Sequence, residues 1–152
     1  MGIILSPTRG GKLSYLNQNR AIAFAKEREA KLIFLYVCDV QFDHQISEDT
    51  VADVEAELED MGQFLLTMAQ ERAADEGIEA EALVRSGNFR EVLDSAIKEN
   101  QVDTLILGSS EEESSNTTPI FLRELSADLA KKYSVEVILL RAGELLETIS
   151  PG

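Results

Sequence analysis

Val102–Pro119 reads VDTLILGSSEEESSNTTP, and this stretch decides the fold. The apolar run Thr104-Leu-Ile-Leu107 stops at Gly108-Ser109-Ser110, and Pro119 opens a helical pattern. Strand, turn and helix start in that order form the geometry in which α/β proteins hold phosphates on helix amides. Thr118-Pro119 supports the helix start, as an N-cap followed by proline at the first helical position. Yet the loop carries Glu111, Glu112 and Glu113, where a phosphate cradle wants glycine or a cation.

Working outward, Gly2-Ile3-Ile4-Leu5-Ser6 is a short apolar strand closed by Pro7 and Gly10-Gly11. A helix follows over about 12–30, with Leu13, Leu16, Ala23 and Phe24 facing inward. Leu32–Val37 is continuously apolar, as a parallel strand buried on both faces must be. Ser47 caps a long helix in which Val51, Val54, Leu58, Met61, Leu65 and Met68 form one stripe facing the sheet. Gly77 ends it. Ile78–Arg85 alternates apolar residues with acids, the pattern of an edge strand with one wet side. Asn88 caps a helix with Val92, Leu93, Ala96 and Ile97 facing the core. Asp103–Leu107 is the fourth strand. A helix striped with Leu122, Leu125, Leu129 and Tyr133 leads to a fifth, Val135–Leu140.

This order implies one open five-stranded parallel sheet, strand order 3-2-1-4-5, with helices on both faces. The domain spans 1–141 and 142–152 is a C-terminal tail. Ligands in such sheets sit at the carboxyl ends of strands where the order reverses, between loops 7–11 and 108–118.

The 152 residues hold 28 acids against 14 bases, a formal charge of -14. Such a charge repels nucleic acid and anionic lipid. Neither is an expected partner, and no transmembrane span or signal peptide is read. The single cysteine, Cys38, suits a reducing compartment, so a cytoplasmic location is expected.

These residues resemble the universal stress protein family. Ile3-Ile-Leu-Ser-Pro7 is similar to its first strand, Asp103-Thr-Leu-Ile-Leu-Gly-Ser109 to the strand opening its nucleotide motif, and Val135-Glu-Val-Ile-Leu-Leu-Arg141 to its closing strand. The resemblance implies the adenine nucleotide alpha-hydrolase-like fold. It also implies a homodimer built on the last strand, through Val135, Val137, Ile138, Leu139 and Leu140. The ATP-binding branch carries three spaced glycines, of which only Gly108 is present. The second falls on Glu111 and the third on Phe121 or Arg123, while the first-loop aspartate falls on Arg9.

The expected protein is therefore a homodimeric binding or signalling module of the stress response that does not turn over ATP. It has no cofactor, metal or catalytic residue, and an unidentified protein is a possible partner. The alternative is an ATP- or AMP-binding member, ATP with Mg, using Pro7, Thr8, Arg9, Gly10, Val37, Gly108, Ser109 and Ser110. A third reading takes Arg9-Gly-Gly-Lys-Leu-Ser14 as a degenerate loop of an adenylating enzyme, or as a simple anion site with Arg9 and Lys12. Asp39, Asp43 and His44 read as a solvated loop, since one histidine without a partner motif makes a poor metal site. His44 is the only histidine and lies in a different loop from the serines, so no nucleophile–base–orienter trio forms.

Overall fold

A computed structural model describes residues 2–39, 48–109 and 120–151. Ser110, Glu111–Glu113, Thr118-Pro119, Ser47, Asp43 and His44 lie outside this set, and so do the readings placed on them. The elements are β1 (Ile3–Pro7), α1 (Lys12–Arg28), β2 (Lys31–Cys38), α2 (Glu48–Asp75), β3 (Glu81–Ser86), α3 (Phe89–Asn100), β4 (Thr104–Gly108), α4 (Ile120–Tyr133), β5 (Glu136–Arg141) and β6 (Glu144–Ile149).

The sheet order is β3-β2-β1-β4-β5-β6. The five parallel strands stand in the expected order, with β3 at one edge. The sixth strand corrects the expectation of a five-stranded sheet with a free tail. Within the segment read as a C-terminal tail, Glu144–Ile149 pairs antiparallel with β5, from Arg141↔Glu144 to Val137↔Ile149. Ala142 and Gly143 both have positive φ, 53° and 82°, so a two-residue turn of the primed class reverses the chain.

This placement also corrects the open edge assigned to β5. Bonded to β4 on one side and β6 on the other, β5 is an interior strand. Val135, Val137, Ile138, Leu139 and Leu140 are all buried within the single chain.

Alternate residues of each strand enter two separate cores. Leu32, Phe34 and Tyr36 pack with Ile4, Ile106 and Ile138 under α1 and α2. Ile33 and Leu35 pack with Leu5, Leu105, Leu107, Val137 and Leu139 under α3 and α4. Each fully buried leucine or isoleucine contributes about 2 kcal/mol of transfer free energy. The α3 stripe is as expected, with Val92, Leu93, Ala96 and Ile97 buried and Asn88 Oδ1 accepting the Glu91 N–H at 3.2 Å.

The two helices on the other side are rotated from expectation. In α1 the buried residues are Gln18, Ala21, Ile22 and Ala25, while Ala23 is exposed. In α2 the sheet-facing residues are Gly62, Leu66, Ala69 and Ala73. Met61 and Met68 of the expected stripe are exposed, as is Phe64. Gly62, Ala69 and Ala73 let α2 lie close to the sheet around Leu66, while Leu58 and Leu65 of the expected stripe pack partly buried against the same core. No helix of the described residues is long and apolar enough to cross a membrane.

Candidate functional site

Strands β1, β2 and β4 end side by side at Pro7, Cys38 and Gly108, where the strand order reverses about β1. A cavity of about 740 Å³ opens there. Pro7, Thr8, Arg9, Gly10, Val37, Gly108 and Ser109 all line it, so seven of the eight expected ligand residues come together. Its walls are apolar, from Leu35, Val37 and Leu107 of the strands and Phe89, Leu122 and Leu125 of α3 and α4. Arg9, Lys12 and Asp39 also line it. A largely apolar cavity with a few polar and charged groups is of the kind that takes a small ligand.

The loop after β1 is held from below. The Thr8 N–H donates to the Leu35 carbonyl at 2.8 Å. Gln18 Nε2 donates to Thr8 Oγ1 at 2.7 Å, and Arg72 Nη1 donates to Gln18 Oε1. The buried amide of Gln18 is thus satisfied on both sides, as a buried polar group must be. Asp39 is an exposed loop residue, as read from sequence, and it also lines the cavity and accepts the Phe89 N–H at 3.3 Å, at the start of α3.

The glycines have reasons of their own. Gly11 has φ 105° and starts α1 without a side-chain cap. A Cβ on Gly10 would sit 3.3 Å from Leu65 of α2. A Cβ on Gly108 would sit 2.4 Å from Asn17 Nδ2, and Asn17 Oδ1 accepts the Gly143 N–H at 2.8 Å. Gly108 therefore makes room for a side chain that ties α1 to the β5–β6 turn. Both candidate positions for the third motif glycine are used otherwise. Phe121 is an exposed side chain on the cavity rim, and Arg123 pairs with Glu147 of β6 at 2.9 Å. Of the three motif glycines only Gly108 is among the described residues, and Phe121 and Arg123 do not offer the close backbone approach that glycine gives a phosphate.

Sequence reasoning missed Asn17, Gln18, Phe89 and Arg72. Gln18 carried a readable signal, since it precedes Ala21, Ile22 and Ala25 at helical spacing and is the polar member of that row. The other three depend on contacts between distant elements. Among the described residues, no three His, Cys, Asp or Glu side chains come close enough to hold a metal.

Beneath the cavity, burial raises the Cys38 thiol above its ordinary value. The Glu59 carboxylate adds to this and a hydrogen bond with Ser86 opposes it. Burial likewise raises Tyr36, with Cys38 adding and Arg9 opposing. Both groups are neutral in the fold, so their contribution is complete below the ordinary values of 9.0 and 10.0 and is lost as pH rises through the raised ones. The urea midpoint is expected to fall as pH rises above the ordinary thiol value of 9.0, and to fall less in a Cys38→Ala, Tyr36→Phe double variant. Equal slopes for the two proteins would count against this assignment.

The universal stress protein family model matches residues 1–141, leaving β6 just beyond the match. The fold is similar to that of UspA from Lactobacillus plantarum, with TM-score 0.75, 16% identity, and 92% of this chain and 97% of that one covered. A universal stress family protein from Burkholderia pseudomallei gives TM-score 0.67, 18% identity and coverage of 91% and 95%. A universal stress protein family protein from Arabidopsis thaliana, solved with AMP bound, gives TM-score 0.58, 16% identity and coverage of 92% and 91%. No curated protein sequence matches the chain. On the family match across 1–141, the chain belongs to the universal stress protein family.

Proposed function

We propose that this protein is a non-hydrolysing module that binds an adenine nucleotide with few phosphates, of the AMP kind, in the β1–β4 crevice. The observation that carries this reading is the cavity of about 740 Å³ lined by seven of the eight expected ligand residues. The Arabidopsis relative with AMP bound supports the ligand class. Apolar walls from Leu35, Val37 and Leu107 suit the base, and Asp39 suits a ribose hydroxyl as an acceptor. Arg9 and Lys12 offer charge to one phosphate. The missing glycines and the Glu111–Glu113 run disfavour a triphosphate, so ATP with Mg gains nothing over AMP. This follows the nucleotide-binding alternative rather than the expectation of no cofactor. The role remains that of a binding or signalling module in the stress response. A cytoplasmic setting suits the lone, buried Cys38.

Calorimetry tests the reading. AMP is expected to bind with Kd of about 10 μM, or about -7 kcal/mol, with ATP and Mg within about tenfold of it. Val37→Trp, which fills the slot between the strand ends, is expected to weaken AMP at least about tenfold while the fold persists. No heat with millimolar AMP removes the nucleotide. ATP with Mg binding a hundredfold tighter than AMP, or releasing phosphate at a steady rate, restores the ATP-using alternative.

A further inference from the structure

The geometry points to a second ligand site, on the far side of the loop after β1, for a flat apolar molecule that carries one anionic group. A cavity of about 330 Å³ lies between α1 and α2, sharing only the loop residues 9–12 with the crevice. Three cations line it, Arg9, Lys12 and Arg72. In a chain of formal charge -14 that concentration of positive charge is local and unusual. Among the described residues none of the three is in an ion pair.

The site is built rather than a chance meeting of surface side chains. Arg72 is pinned by its bond to Gln18 Oε1, and its guanidinium carbon stands over the Tyr15 ring, 3.6 Å from the centroid. A stacked guanidinium keeps donors at its edge free for a carboxylate or phosphate. Leu65 and Met68, on the same helix as Arg72, complete the lining, and Met68 is exposed. Its polarizable thioether offers an aromatic body a surface to pack on. The uncapped start of α1 at Gly11 adds favourable field to an anion there. Carboxylate and phosphate share this chemistry, so both enter the test as small aromatic probes.

Phenyl phosphate and benzoate are titrated separately into isotopically labelled full-length protein, with and without saturating AMP, and followed by NMR. Saturable shifts are expected at Lys12, Tyr15 and Met68 below about 20 mM probe, where binding is worth only about 2–4 kcal/mol. AMP, whose phosphate draws on the shared Arg9 and Lys12, moves Lys12 by itself and leaves the probe shifts at Tyr15 and Met68 in place. Lys12→Gln, at an exposed position, is expected to weaken the better probe about fivefold, and Arg72→Lys to do the same by losing the flat donor edge. Phenyl phosphate as the tighter probe identifies a phosphate ligand, and benzoate as the tighter one identifies a carboxylate. Shifts confined to Val37, Leu107 and Gly108, loss of the Tyr15 and Met68 shifts on adding AMP, unchanged affinity in Arg72→Lys, or no shift at all would each overturn the site.

Discussion

A chain ending at Arg141 is expected to melt well below the full-length protein and to self-associate. The deletion removes the strand that closes β5. Leu146 and Ile149 then leave the core beneath α3 and α4. The ladder from Val137↔Ile149 to Arg141↔Glu144 is lost, with the Arg123–Glu147 pair and the Asn17–Gly143 hydrogen bond. Two partly buried side chains and the unpaired edge together cost about 3–5 kcal/mol. At about 2–4 °C per kcal/mol for a chain of this size, the melting temperature falls by about 10 °C. The exposed edge is then Val137-Ile-Leu-Leu140, an apolar strand with nothing to blunt it. Two copies pairing there would form the dimer that the family resemblance implies. In the full chain β6 occupies that place, so we propose that association through β5 requires the sixth strand to detach. Sedimentation velocity and thermal melts on both chains check this. A truncated chain that stays monomeric and melts as the full one does would show that β6 closes nothing.

Why β6 was not legible is visible in its residues. Glu144-Leu-Leu-Glu-Thr-Ile149 is short, and its apolar positions lack the clean alternation of an exposed strand. A bulge between Leu139 and Leu140 lets the irregular pattern pair with a regular strand. The hairpin signal was also weak. A two-residue primed turn favours Asn-Gly or Asp-Gly, and here Ala142 takes the first left-handed position at a cost of about 1 kcal/mol. Only the non-local pairing with β5 makes the segment a strand. By contrast, Leu32–Val37 was legible because burial on both faces leaves a continuous apolar signature in the sequence itself. The crevice was legible for the same kind of reason. Pro7, Gly108 and the strand ends are local punctuation, and topology alone brings them together. What the walls do beyond that, such as Asn17 filling the space beside Gly108, needed the packed helices.

The second large effect is expected at Gly62, a position that the apolar periodicity of α2 passes over. Glycine inside a helix costs about 1 kcal/mol relative to alanine, so its presence midway along Glu48–Asp75 calls for a cause. The cause is Tyr36. A Cβ at position 62 would stand 2.5 Å from Tyr36 Cδ1 and 2.9 Å from its Cγ. The ring has no easy retreat, since Tyr36 is buried on β2, which is paired with β3 on one side and β1 on the other. Gly62→Ala gains about 1 kcal/mol of helix propensity and loses about 1–3 to overpacking, a net destabilisation of about 0–2 kcal/mol. Gly62→Leu cannot be accommodated without lifting α2 from the sheet, and is expected to cost 3 kcal/mol or more, about 6–12 °C in melting temperature. Met61 supplies the contrast. Sequence periodicity puts it in the core, but it is 53% exposed, so Met61→Gln is expected to stay within about 0.5 kcal/mol of wild type. The two rotations of α2 thus predict opposite orders. If Met61 faced the sheet, Met61→Gln would be the damaging change and Gly62→Leu would sit harmlessly toward solvent. Urea unfolding of the two single variants beside wild type decides between them.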